Sequence, residues 1–112
     1  KKVFCTVFPD SDRNRNPMKR NEGELPDSSI VPDLIITSNC SFKLWVNGIF
    51  YSEYFNEGKM QKVKVQDILL DKGINRLFIL CEGCADDIRI NASFINKYGD
   101  RVEGLSYRLT LD

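Results

Sequence analysis

The chain has 112 residues, the size of one domain and enough to bury about two-thirds of the surface its unfolded form would expose. Sixteen Lys and Arg balance sixteen Asp and Glu and are scattered rather than striped, so nucleic acid is not an expected partner. Histidine is absent, which removes the commonest general base and zinc ligand and excludes His-based catalytic triads. Apolar runs such as Leu34-Ile35-Ile36 fall far short of the roughly 20 residues of a membrane helix, so insertion into a membrane is not expected either.

In chain order, residues 3–8 (VFCTVF) are rich in β-formers and stop at Pro9, as a strand does. Residues 9–29 hold three prolines and many charges and read as a long polar loop. Residues 33–38 (DLIITS) and 41–48 (SFKLWVNG) read as a strand pair or one long bent strand. In the second of these Phe42, Leu44 and Val46 alternate against Lys43, Trp45 and Asn47. Asn47-Gly48 is a strong hairpin signal, because both central residues of a type I′ turn need positive φ. The return strand is IFYSEYF, residues 49–55. In the next run Met60, Val63 and Val65 alternate with lysines, and Asp67 to Leu70 is expected to make one helical turn. Residues 75–81, 88–95 and 104–111 are further strands, with Lys97-Tyr98-Gly99-Asp100 turning between the last two. Leu77, Ile79 and Cys81 share one face of their strand and Phe78 and Leu80 the other, so that strand should be central. Seven or eight short strands with regular turn signals make an all-β sandwich, one domain over residues 1–112. The expected core is Phe42, Leu44, Val46, Val63, Val65, Leu77, Ile79, Ala92 and Phe94.

The cysteines at 5, 40, 81 and 84 allow three pairings if oxidised. The alternation points Cys40 and Cys81 inward as small apolar core residues, which leaves a fully reduced chain and a single disulfide both open. Cys81-x-x-Cys84 is half a zinc site, but Cys5 and Cys40 lie too far apart in sequence to supply the other half as a close pair, and no metal is expected there. Asp10-Ser-Asp12-Arg-Asn14-Arg-Asn16 imitates a calcium loop, yet Arg15 stands where that loop needs Gly. A solvated polar loop is the better reading, with a structural calcium the lesser alternative, and no cofactor is expected. Asp86-Asp87 reads as a charged turn. Asn39-Cys-Ser41 and Asn91-Ala-Ser93 fit the glycan-acceptor pattern. No spacing singles out a carboxylate pair for hydrolysis, and the chain is not expected to be an enzyme.

Three stretches together resemble the galactose-binding-like jelly-roll domains that accompany glycoside hydrolases, polysaccharide lyases and related enzymes. The first is Trp45-Val46-Asn47-Gly48 entering a tight hairpin. The second is Leu69-Leu70 with Gly73, Asn75 and Leu77 leading into a core strand. The third is Ala92 and Phe94 followed by the turn at Gly99. The resemblance covers roughly residues 33–107 and implies a jelly-roll fold and an accessory role beside a covalently linked catalytic domain. It also implies an extracellular, periplasmic or cell-surface location.

Outward parity places Trp45 beside Lys43, with either Phe50, Ser52 and Tyr54 or Tyr51, Glu53 and Phe55 joining them from the return strand. Sugars stack their C–H faces on aromatic rings while polar neighbours bond the hydroxyls. The expectation is therefore weak binding of a neutral oligosaccharide or polysaccharide at Trp45, Lys43, Tyr51 and Tyr54. Tyr51 and Tyr54 have opposite parity, so a regular strand brings only one of them to that face. The alternative is a module that braces a neighbouring domain, with Trp45 covered.

Overall fold

The computed structural model describes residues 1–9, 30–84 and 87–111. The polar segment beyond Pro9, with its calcium-like run, and Asp86 lie outside the described residues. Among the described residues there is no helix. The strands are β1 (Lys2–Pro9), β2 (Asp33–Ser38), β3 (Ser41–Val46), β4 (Ile49–Tyr54), β5 (Gln61–Val65), β6 (Asn75–Glu82), β7 (Ile90–Ile95) and β8 (Leu105–Leu111). They form two antiparallel sheets, a five-stranded one in the order β4-β3-β6-β1-β8 and a three-stranded one in the order β5-β2-β7.

Period-two alternation explains the layers. Val3, Cys5 and Val7 of β1, Phe42, Leu44 and Val46 of β3, and Leu77, Ile79 and Cys81 of β6 are buried on one side of the five-stranded sheet. They belong to one cluster with Leu34, Ile36, Val65, Ala92 and Phe94 of the other sheet. Every residue of the expected core is in it except Val63, which is half-buried on an edge strand and packs against it. β6 lies in the middle of its sheet, as its two apolar faces require.

Residues 33–38 and 41–46 are neither a pair nor one strand. β2 pairs with β5 and β7, whereas β3 pairs with β4 and β6, so the chain changes sheet at Asn39-Cys40. Polar side chains hold that corner. The Cys40 amide donates to Ser38 Oγ at 2.8 Å, and Asn39 Oδ1 accepts from the Arg89 amide at 2.9 Å while its Nδ2 donates to the Asp87 carbonyl at 2.7 Å. Asn39 is 6% exposed and so bonded that, of the two acceptor patterns, only Asn91 is exposed.

The cysteine pairing also differs from a fully reduced chain. A disulfide joins Cys40 to Cys84 across 44 residues, tying the corner between sheets to the segment after β6. Cys5 and Cys81 are free and buried. Burial raises both thiols, Cys5 to about 11, so neither is a thiolate near neutrality.

The helical turn expected over Asp67 to Leu70 does not form. Asp67 adopts φ 60°, the Ile68 amide donates to the Pro32 carbonyl at 2.8 Å, and Leu70 exchanges bonds with Ile30 at 2.9 and 3.1 Å. An extended segment buries Ile68 (0% exposed) and Leu70 (2%) together while Leu69 points out. That gain outweighs a lone helical turn, which fixes six dihedrals for one hydrogen bond.

Candidate functional site

The outer face of the five-stranded sheet carries a row of aromatic rings. Outward parity places Phe4 on β1, Phe78 on β6 and Trp45 on β3, and the register sets Phe4 opposite Phe78 and Phe78 opposite Trp45. Phe50 on β4 faces Trp45 from the other side. Ring centroids lie 5.2 Å apart for Phe4 and Phe78, 5.4 Å for Phe78 and Trp45, and 5.4 Å for Trp45 and Phe50. The first two pairs are inclined by only 30° and 35°. Rings lying flat side by side cannot come so close, so these stand on the sheet with their faces partly overlapped, and Trp45–Phe50 at 69° is edge-to-face. Trp45 and Phe78 are half-buried in the middle of the row; Phe4 and Phe50 at its ends are 43% and 50% exposed.

The hairpin decides which side chains of β4 join the row. Asn47 and Gly48 take φ 51° and 83°, the type I′ geometry their sequence demands. Asn47 is also tied to β6: its amide donates to the Arg76 carbonyl at 2.8 Å, its Oδ1 accepts from the Arg76 amide at 2.9 Å, and its Nδ2 donates to Asn75 Oδ1 at 2.8 Å. Asn75 in turn exchanges bonds with the Asp71 backbone, both at 2.8 Å, the turn-closing role its position suggests. Two residues into the return strand the pairing slips, because Leu44 faces Ser52 whereas Trp45 faces Phe50. Tyr51 is the extra residue of a β-bulge.

That bulge separates the expected site residues. Lys43 and Trp45 do share the outer face, where Lys43 Nζ lies 3.9 Å from Glu53. Tyr51 and Tyr54 both turn to the inner side and pack against the core. Tyr51 Oη accepts from the Leu69 amide at 3.1 Å; Tyr54 stacks near Phe42 with centroids 5.9 Å apart and donates from Oη to Gln61 at 3.0 Å. Neither expected alternation of the return strand holds, since the slip sends Phe50 and Glu53 outward and Tyr51, Ser52 and Tyr54 inward. The neighbours of Trp45 are Phe50 and Phe78, and Phe78 was legible from the parity of 75–81 but not its pairing.

Between the row and the hairpin lies an open depression of about 410 Å³, lined by Phe4, Trp45, Gly48, Arg76, Leu77 and Phe78. Its volume falls within the range of small-ligand sites. A second polar cluster sits elsewhere. Lys97 Nζ donates to Asp33 at 2.7 Å and to Asp67 at 2.6 Å, and Asp33 also accepts from the Asp67 amide at 3.0 Å. The hydrogen bond from Lys97 holds Asp33 below the ordinary carboxylate range, and the same bond holds Lys97 above the ordinary amine range. Asp33 is buried and its Oδ1 takes both bonds, so the cluster braces the approach of β2 to the segment after β5. Among the described residues no group of His, Cys, Asp and Glu is arranged to hold a metal.

Comparison of the chain with protein-family models, with curated proteins and with solved structures finds no match.

Proposed function

We propose that this domain is a non-catalytic accessory module of the galactose-binding-like jelly-roll kind, which holds a carbohydrate weakly against the outer face of its five-stranded sheet. The aromatic row and the depression beside it carry the reading: three rings, an arginine and a side-chain-free glycine converge on one open hollow. The rings offer faces and edges to the C–H patches of a saccharide, and its hydroxyls point to the rim and to Arg76. The disulfide fits an oxidising compartment, in keeping with an extracellular, periplasmic or cell-surface module linked to a catalytic domain. Affinity of such a shallow site lies in the micromolar to millimolar range, roughly −4 to −8 kcal/mol.

One observation favours a second reading. Phe78 has Phe4 on one side and Trp45 on the other, so the rings in the middle of the row present edges to solvent. A ridge of edges suits a protein surface laid across the sheet, as in a module that braces its catalytic neighbour. Titration of Trp45 fluorescence and heat with a glycan panel, for wild type and Trp45→Ala, separates the two. Saturable quenching lost in the folded variant supports the saccharide site. No response at millimolar glycan removes it in favour of the bracing module.

A further inference from the structure

Resting on the saccharide reading above, we infer that the ligand of this face is an acidic sugar chain, a uronate, whose carboxylate is taken by Arg76. Among the described residues Arg76 is the only charged one lining the depression, and no acid lines it. Its backbone is clamped on both sides by Asn47, which fixes where the side chain leaves the sheet. The ion pairs among the described residues are Lys43 with Glu53 and Lys97 with Asp33 and Asp67, so none of the described acids pairs with the Arg76 guanidinium. A planar fork beside apolar rings is the side chain best matched to a carboxylate, which it can bond twice.

The rest of the face agrees. Thr6 on β1 stands opposite Arg76 on one side and Arg108 on the other, so a row Arg76-Thr6-Arg108 runs beside the aromatic row. On the opposite flank Leu80 stands between Lys43 and Lys2. The aromatic row is therefore bordered by basic residues on both sides. Of the acids on this face among the described residues, Glu53 lies against Lys43, and Glu82 lies at the far end of β6 opposite Ser41. The chain as a whole has a formal net charge of zero, so this concentration is a local property of the face. A linear uronate carries a carboxylate on every residue and apolar C–H patches between them, and so complements a strip of rings with cations along its edges. The neutral chain expected from sequence leaves that charge unused.

The test is titration of Trp45 fluorescence with trigalacturonate and with the uncharged galactotriose, at low and high salt, for wild type, Arg76→Gln and Arg76→Lys. Trigalacturonate should bind about tenfold more tightly than the neutral trimer, the usual worth of a charge-assisted bond. Arg76→Gln should abolish that margin, Arg76→Lys should restore part of it, and added salt should shrink it. Equal binding of the two trimers, or a margin that survives Arg76→Gln, overturns the acidic-sugar assignment and leaves the saccharide face standing. Silence toward both trimers removes the face and the assignment together. A response to a single-stranded oligonucleotide and none to trigalacturonate overturns the assignment in favour of a nucleic-acid surface.

Discussion

Removing the Cys40–Cys84 bridge with Cys40→Ala/Cys84→Ala should be strongly destabilising. The cross-link spans 44 residues, and the chain-entropy relation for a loop of that length gives about 4 kcal/mol at 25 °C. That is a large share of the 5 to 15 kcal/mol by which domains are ordinarily stable. With an unfolding entropy of roughly 2.1 cal/mol/K per residue, a loss of that size lowers the melting temperature of this domain by about 15 to 20 °C. The packing cost adds to it, since Cys40 is fully buried at the junction of the sheets. Urea and thermal unfolding of wild type with and without reductant, beside the double variant, measure the loss. Alkylation of the denatured, unreduced protein gives an independent count: two thiols should react, Cys5 and Cys81. Four reactive thiols, or a double variant within about 1 kcal/mol of oxidised wild type, would refute the reasoning.

Gly48→Val isolates backbone strain, because a Cβ at Gly48 meets nothing within 4 Å while φ is +83°. The loss should be about 1 to 3 kcal/mol, read from urea unfolding, and an unchanged midpoint would mean that the turn is not type I′. The Asp33–Lys97 pair sets a pH window. Asp33 is held below its ordinary value, so its contribution is present above the unfolded-state pKa of about 3.9 and is lost as pH falls through the lowered folded one. Lys97 is held above its ordinary value, so its contribution is present below about 10.4 and is lost as pH rises through the raised one. The stability difference between wild type and Lys97→Met should therefore be level from about pH 5 to 9 and shrink in acid. A difference that persists undiminished at pH 2 would show that Lys97 acts through packing.

What the sequence made legible follows the range of the interactions involved. Alternation and the Asn-Gly pair are local, and they located the strands, the hairpin and the core from Phe42 to Phe94. The corner at Asn39-Cys40 was not legible, because a strand that ends and one that bends carry the same residues. Sheet membership here is decided by bonds to Arg89 and Asp87, 48 to 50 positions away. The segment 67–70 was misread because its pattern is equally good for a helical turn. Only the facing backbone of Ile30 and Pro32 makes the extended form better. Parity puts Trp45 and Lys43 on the outer face, as in the structure, but it does not decide which residues of β4 join them. Period-two reasoning assumes an unbroken ladder, and the slip at Tyr51 reverses every assignment on one side of it.

The slip also gives the row a second task. With Tyr51 turned inward, Phe50 can reach Trp45, and the contacts then run unbroken from β4 through β3 and β6 to β1. Each aromatic pair contributes about 0.5 to 1.5 kcal/mol beyond its burial, so the row binds four strands of the sheet together on the side away from the core. Trp45 takes part in two of those pairs. Trp45→Ala therefore weakens the sheet as well as the hollow, and loss of glycan binding in that variant carries weight only where unfolding curves show it folded at the assay temperature. Arg76 appears in none of the ring pairs, and its tie to Asn47 runs through its own backbone, which Arg76→Gln leaves in place. The arginine is for that reason the sharper probe of what this face binds, and the tryptophan the sharper probe of what holds the face in shape.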